Sequence, residues 1–158
     1  MKTSKQIADW ILSKINIEAG DTISPLKLQK LLYYCQAWHL AVFGKPLFKE
    51  EIEAWSHGPV IPSQYNRFAN ILRNESIKTN NIKKESVVFE DKETENLLEE
   101  VLEIYNEHSA NYLENLTHSE KPWVEARGSL QPWERSNSII KKESMKIFYS
   151  KLNSEQKG

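Results

Sequence analysis

One segment of the chain is apolar on nearly all sides and carries clear start and stop signals for a helix. Ser24 followed by Pro25 is typical of a helix start, because the hydroxyl can cap the first turn and proline has no N–H to leave unpaired there. Gly44 followed by Pro46 is typical of a helix end. Between these signals, the residues expected to face the core recur mostly three or four positions apart: Leu28, Leu31, Leu32, Cys35, Trp38, His39 and Val42. A helix with so little polar surface must be covered by other elements, so we predict that it forms the centre of the core.

The same periodicity predicts further helices on both sides of this central one. They are expected at about Ser4–Ile15, at Ser63–Arg73, from a cap at Asp91 to about His108, after a cap at Ser109, as a short turn from Pro122 through Ala126, and at about Ser138–Leu152. Glu53–Trp55 is predicted to be extended, and Ile82–Glu90 is the strongest candidate for a strand that pairs with it. The predicted fold class is mainly α, with about six helices around a central apolar helix, with or without one short β-hairpin. We expect a single domain over residues 1–152 and a frayed tail at 153–158.

The composition is that of a globular protein without a membrane span or a disulfide. The chain has 158 residues, of which 39% are hydrophobic and 27% charged, which argues against a disordered chain. The longest unbroken apolar run, Leu31–Cys35, is far shorter than the ~18 residues that a membrane helix needs. The N-terminus lacks the features of a secretory signal, and the single Cys35 cannot form an internal disulfide. We therefore expect a cytoplasmic protein.

The charges are balanced overall but unevenly distributed. The formal net charge is −1, whereas nucleic-acid binders usually have a strongly basic domain, so nucleic acid is not the expected partner. Residues 90–107 carry eight acidic side chains and one basic side chain, Lys92. This run is either a solvated helix face or an acidic patch for a basic partner protein.

The sequence gives little support for a metal site or a catalytic centre. Cys35 and His39 lie four positions apart on one helical face, a spacing that suits two metal ligands. That face is apolar, however, and a buried cysteine beside a half-buried imidazole explains the pattern equally well. The glycines are isolated and form no phosphate-binding loop. We therefore predict no catalytic residue, no metal ligand and no cofactor.

Two short segments combine tryptophan, histidine and proline in an unusual way. They are A-W-S-H-G-P-V at Ala54–Val60 and L-T-H-S-E-K-P-W at Leu116–Trp123. One interpretation is that Trp55 and Trp123 belong to the core and that the nearby histidines cap carbonyl groups. The other interpretation is a partner-binding groove walled by both segments, because tryptophan next to rigid proline provides a preformed contact surface.

These segments, together with the central helix, resemble the Panacea domain, which is the SocA-like antitoxin family and is also known as the phage-associated GepA family. The resemblance is carried by L-K-L-Q-K-L-L-Y-Y-C-Q-A-W-H-L at Leu26–Leu40, by Pro46–Pro62 with Tyr65, and by T-H-S-E-K-P-W at Thr117–Trp123. It implies an antitoxin that neutralises a protein toxin encoded beside it by direct protein–protein contact. A SocA member of the family is instead an adaptor that delivers its toxin to a ClpXP-type protease, so the resemblance leaves both modes open.

The leading hypothesis is thus an antitoxin that sterically covers its cognate toxin and does not modify it covalently. The residues expected to contact the toxin are Trp55, His57, Tyr65, His118 and Trp123. The alternatives are a protease adaptor and a phage-encoded protein that binds a host factor. A small hydrolase or metal enzyme that uses His57, His118 or Cys35 is less favoured.

Overall fold

The computed structural model describes residues 1–15, 22–72, 75–78 and 88–157. These residues form a mainly α fold, as the sequence predicts, with one short β-hairpin. The elements in chain order are α1 (Ser4–Ser13), α2 (Pro25–Phe43), β1 (Glu53–Trp55), β2 (Gly58–Val60), α3 (Pro62–Arg67), α4 (Lys92–Tyr105), α5 (Ala110–Ser119), α6 (Lys121–Arg127) and α7 (Lys142–Lys157). Within the described ranges, every helix is too short or too polar to cross a lipid bilayer.

Helix α2 is the centre of the core, which confirms the main prediction. All residues from Leu28 to Leu40 are buried, and α1, α4, α5, α7 and the hairpin pack around them. The Ser24 hydroxyl accepts a hydrogen bond from the Lys27 amide at 3.2 Å, and Gly44 ends the helix in the left-handed region with φ 74°. The signals at both ends of α2 therefore act through the expected cap geometry.

The boundaries of three helices differ from the predicted ones. Helix α3 ends at Arg67 rather than near residue 73, because the Phe68 amide bonds to the Tyr65 carbonyl in a tighter three-residue turn. Helix α4 ends at Tyr105, where a turn leads to the Ser109 cap of α5. Helix α7 begins at Lys142 and includes residues 153–157, which we expected to fray.

The hairpin has a different second strand from the predicted one. β1 pairs with β2 in antiparallel register, with Ala54 opposite Pro59 and Trp55 opposite Gly58. The other edge of β1 is taken by the chain before α7: the Ala54 amide donates to the Ser138 carbonyl, and the Ile140 amide donates to the Ile52 carbonyl, both at 2.8 Å. Most of the predicted strand Ile82–Glu90 lies outside the described residues, and residues 88–90 are not in a strand.

A buried polar network joins α2, α7 and the junction of α5 with α6. Tyr34 and Tyr149 both donate hydroxyl hydrogen bonds to the Glu120 carboxylate, at 2.7 and 2.8 Å. The Tyr33 and Tyr149 hydroxyls are 3.0 Å apart. Burial raises the pKa of Glu120, whereas the two hydroxyl donors oppose that change. The network therefore fixes where α6 begins, and with it the position of Trp123.

Candidate partner-binding surface

The hairpin and α3 bring three of the predicted residues to one exposed surface. The Trp55 ring makes an edge contact with the Tyr65 ring, with centroids 4.8 Å apart and planes at 62°. Tyr65 is 47% exposed, and Trp55 is half-buried with its indole N–H donated to Glu53 at 2.9 Å. His57, in the hairpin turn, is exposed and its Nδ1 lies 3.0 Å from the Glu114 carboxylate on α5. These contacts hold the three rings in fixed relative positions.

His118 and Trp123 lie directly behind these residues. Their rings are stacked, with centroids 4.1 Å apart and planes at 18°. The Trp123 indole N–H donates to the Trp55 carbonyl at 2.9 Å, so the two predicted clusters are in direct contact. Trp123 is only 6% exposed. It therefore supports the hairpin from inside, as the core interpretation of this residue predicts, while Trp55 keeps part of its ring at the surface.

The electrostatic environment of His118 keeps its imidazole neutral at pH 7. Burial lowers the pKa of His118, and the nearby cations Lys30 and Arg127 together with His57 lower it further, while Glu114 opposes them. A neutral imidazole can stack on Trp123 without the cost of burying a charge.

An open cavity of about 650 Å³ lies beside these rings, and its described lining consists of Trp55, Ser56, His57, Tyr65, Arg135, Ser136 and Asn137. None of these lining residues is acidic. Arg135 is exposed, and it forms no ion pair with any residue that the structure describes. We call Trp55, His57, Tyr65 and residues 135–137 the aromatic surface. It combines two aromatic rings with one cationic side chain, a combination that suits an acidic group next to an apolar one.

Sequence reasoning did not identify Arg127, which holds this surface together. Arg127 is 4% exposed, and its guanidinium donates to the carbonyls of Ala54 at 3.0 Å, Gln131 at 2.7 Å and Glu134 at 2.7 Å. It also lies over the Trp123 ring, 5.0 Å from the centroid. The only signal in the sequence is a basic residue just before Gly128 at a helix end, which many surface residues share.

Lys30 was also not expected to be near this site. Its side chain is fully buried and passes beneath Gly58, next to Thr117. A lysine inside a regular run of apolar residues gives no sequence signal of its own, because helical patterns normally place such a residue on the solvent side.

Cys35 and His39 are both buried along α2. Cys35 is fully buried and burial raises the pKa of its thiol, whereas His39 Nδ1 donates to the Lys45 carbonyl at 2.6 Å. Over the described ranges, no group of three or more histidine, cysteine or acidic side chains is placed to hold a metal ion. The core interpretation of these two residues fits their environment.

Comparison with known proteins agrees with the resemblance seen in the sequence. A family model described as "Antitoxin SocA-like, Panacea domain" matches residues 28–124. Antitoxin SocA from Caulobacter vibrioides (strain NA1000 / CB15N) is 33% identical over 109 residues, which are 64% of this chain and 58% of that protein. The chain thus spans less than two thirds of the length of this curated relative. No solved structure matches the chain.

The family match covers more than half of the chain and includes all five predicted surface residues, Trp55, His57, Tyr65, His118 and Trp123. The α2 segment and the two tryptophan segments, which pack on one another in the fold, lie almost entirely within it. The chain belongs to the family of antitoxin SocA-like Panacea domains.

Proposed function

We propose that this protein is an antitoxin that binds a protein toxin through the aromatic surface and blocks the toxin by covering it. The observation that carries the proposal is the exposed cavity lined by Trp55, His57 and Tyr65 of one family segment. The other family segment supports this wall from behind, through the hydrogen bond from Trp123 to the Trp55 carbonyl. The name of the relative, an antitoxin, supports the same class of function.

The side chains of the aromatic surface are of the types that dominate binding energy in protein interfaces. Tryptophan, tyrosine and arginine are enriched among interface residues whose truncation costs most affinity. Trp133, two positions before Arg135, is 75% exposed and adds a further large ring to the same segment. Because Arg127 and Trp123 bind backbone carbonyls behind the surface, little backbone freedom is lost on binding.

The chemistry of the cavity indicates what part of the toxin it receives. Arg135 offers a planar cation, and no acidic group faces it among the described lining residues. An aspartate or glutamate of the toxin, flanked by an apolar side chain that packs on Trp55 and Tyr65, would satisfy both features. A stable complex buries roughly 1,200–2,000 Å², so the toxin must also cover surface around the cavity.

Co-expression with the product of the neighbouring gene tests this proposal. We expect the wild-type protein to rescue growth and to copurify with that product, whereas Tyr65→Ala and Arg135→Glu each weaken binding about tenfold or more. Tyr112→Ala is the matched control, because Tyr112 is 49% exposed on α5 and does not line the cavity. A harmless neighbour that forms no complex, or equal loss of binding in Tyr112→Ala, would contradict the proposal.

The half-life of the toxin separates covering from delivery to a protease. We expect pulse-chase labelling to give the same toxin half-life with and without a ClpXP-type protease, since the proposed mechanism needs only occupancy of the surface. A half-life that shortens only when both this protein and the protease are present would instead support an adaptor.

A further inference from the structure

A second groove lies where the last turns of α2, the helix α4 and the end of α7 meet. It has a volume of about 410 Å³ and shares no residue with the aromatic surface. We call it the α4 groove. Its described lining includes Trp38 and Val42 of α2, Leu97, Val101 and Ile104 of α4, and Gln156 of α7.

The floor and one wall of the α4 groove form a continuous apolar stripe. Leu97, Val101 and Ile104 are spaced i, i+4, i+7 and therefore share one face of α4. Ile104 is 58% exposed, and Val42 on the opposite wall is 44% exposed. Large apolar side chains exposed on both walls of one groove are typical of a site that another chain covers.

The floor is rigid and its polar atoms are satisfied. The Trp38 indole N–H donates to the Tyr105 hydroxyl at 2.9 Å, and the Tyr105 ring stacks on Tyr34 at 3.9 Å between centroids. The groove therefore presents ring faces and aliphatic groups to an incoming side chain and needs no rearrangement of the core.

The rim of the α4 groove is acidic. Glu93 and Glu100 line it, and neither forms an ion pair with another residue in the part of the chain that the structure describes. No lysine or arginine is among the described lining residues. The two carboxylates are thus available to basic groups beside the apolar stripe.

We propose that the α4 groove docks a basic amphipathic helix of a partner protein. Helix α4 has 14 residues and is about 21 Å long, which matches a docked helix of three to four turns. Such a helix would place apolar side chains at i, i+4 and i+7 on the stripe and lysine or arginine side chains beside Glu93 and Glu100. The acidic rim selects this occupant over an acidic or neutral helix, because like charges at a rim repel and opposite charges speed association.

A designed peptide tests the groove without knowledge of the natural partner. The probe is a 15-residue helical peptide with leucine at i, i+4, i+7 and i+11 and lysine on both flanks, and its match has glutamate in place of each lysine. At low salt we expect the protein to bind the lysine peptide about tenfold or more tightly than the glutamate peptide, with the difference shrinking as salt rises.

Reversing the charge of the two rim glutamates tests whether the lysine peptide binds in the α4 groove. We expect the double substitution Glu93→Lys with Glu100→Lys to weaken binding of the lysine peptide about tenfold. The control, Glu75→Lys with Glu143→Lys, makes the same change in net charge at exposed positions outside the groove and should bind within about twofold of wild type. Ile104→Ser, which removes an exposed apolar wall residue, should also weaken binding.

Three results of the peptide measurements would overturn the inference. They are equal binding of the two peptides, equal weakening by the two double substitutions, and no measurable binding of the lysine peptide. Self-association of the wild-type chain that Glu93→Lys with Glu100→Lys abolishes would overturn it too, since it would assign the groove to a second copy. Because the aromatic surface is separate, Tyr65→Ala should leave peptide binding unchanged, so failure here is distinguishable from failure of the antitoxin proposal.

Discussion

At the scale of single residues, Gly58 allows the hairpin to lie directly on a buried lysine. Gly58 has φ 112°, a conformation that residues with a Cβ rarely adopt. A Cβ at this position would lie 2.6 Å from Lys30 Cε and 3.1 Å from Thr117 Oγ1. The backbone conformation and the space are therefore both restricted at a position adjacent to His57 in the aromatic surface.

We expect Gly58→Ala to lower the free energy of unfolding by about 2–4 kcal/mol, because backbone strain and the clash with Lys30 add. Lys30 cannot move easily, since it is fully buried. Urea denaturation followed by far-UV circular dichroism measures the change.

Gly128→Ala is the matched control for the effect of space. Gly128 also has a positive φ of 61°, but nothing lies within 4 Å of a Cβ built there. Its substitution should cost only the backbone strain, about 1 kcal/mol. Equal losses in the two variants would show that contact with Lys30 contributes nothing.

Single residues also show where sequence reasoning reaches its limit. Trp55 and His57 could be singled out because tryptophan, histidine and proline occur together in one short segment, and Tyr65 because the family resemblance includes it. Lys30 could not be predicted, because its burial depends on α2 being covered on every side, including the side where the hairpin crosses. Arg127 likewise acquires its role from carbonyl groups that are distant in sequence or belong to an irregular loop.

At the scale of elements, local signals predicted helices better than they predicted extended segments. Caps such as Ser24, Asp91 and Ser109 act within three residues, so they can be identified from the sequence alone. The strand β1 depends on partners that the tertiary fold brings to it: residues 58–60 and 138–140 pair with it, whereas we predicted pairing with Ile82–Glu90. Because residues 138–140 pair with β1, helix α7 begins only at Lys142.

The segment from Gly128 to Ile140 has no regular helix or strand of its own, so its position depends on what anchors it. One anchor is the backbone pairing of Ser138 and Ile140 with β1. The other is Arg127, whose guanidinium reaches the carbonyls of Gln131 and Glu134. The segment carries Arg135, so the two anchors determine whether the cavity of the aromatic surface exists.

We expect Arg127→Met to lower the free energy of unfolding by about 2–4 kcal/mol, because the buried Ala54 carbonyl loses a charged donor and the Trp123 ring loses its cation. Trypsin should also cleave after Arg135 faster than in the wild type, since the loop is released on one side. Timed digestion with mass spectrometry identifies the cut.

Arg135→Met provides the control for loss of an arginine from the same region. Arg135 is exposed, and its side chain makes no hydrogen bond or ion pair with any residue that the structure describes, so its substitution should change stability by less than about 0.5 kcal/mol. If Arg127→Met is as stable as Arg135→Met, Arg127 does not anchor the loop.

At the scale of the whole molecule, two histidines and Glu120 link stability to pH, and the histidines act in the opposite direction to Glu120. Burial lowers the pKa of His39 and of His118 from the ordinary value of 6.5, so the folded state binds fewer protons than the unfolded state below that pH. Burial raises the pKa of Glu120 from 4.5, so the folded state binds the Glu120 proton more readily. The contribution of Glu120 is therefore present at low pH and is lost as pH rises through its raised pKa.

These signs predict a fall in stability on acidification from pH 7.5 to 5.5, because both histidines are neutral in the fold and become protonated first in the unfolded chain. Glu120 partly offsets the fall at the acidic end of this range, since its protonation favours the folded state. Calorimetry at each pH, in buffers of equal ionic strength, gives the slope of melting temperature against pH.

The double substitution His39→Gln with His118→Gln should flatten this slope even where it lowers the melting temperature at every pH. A general loss of packing is therefore distinguishable from a change in proton binding. His108→Gln removes a half-exposed imidazole that stacks on Tyr112 and is the control for losing a histidine. If the double variant keeps the wild-type slope, the pH dependence arises from other groups, and a neutral His118 stacked on Trp123 is not part of what stabilises the aromatic surface.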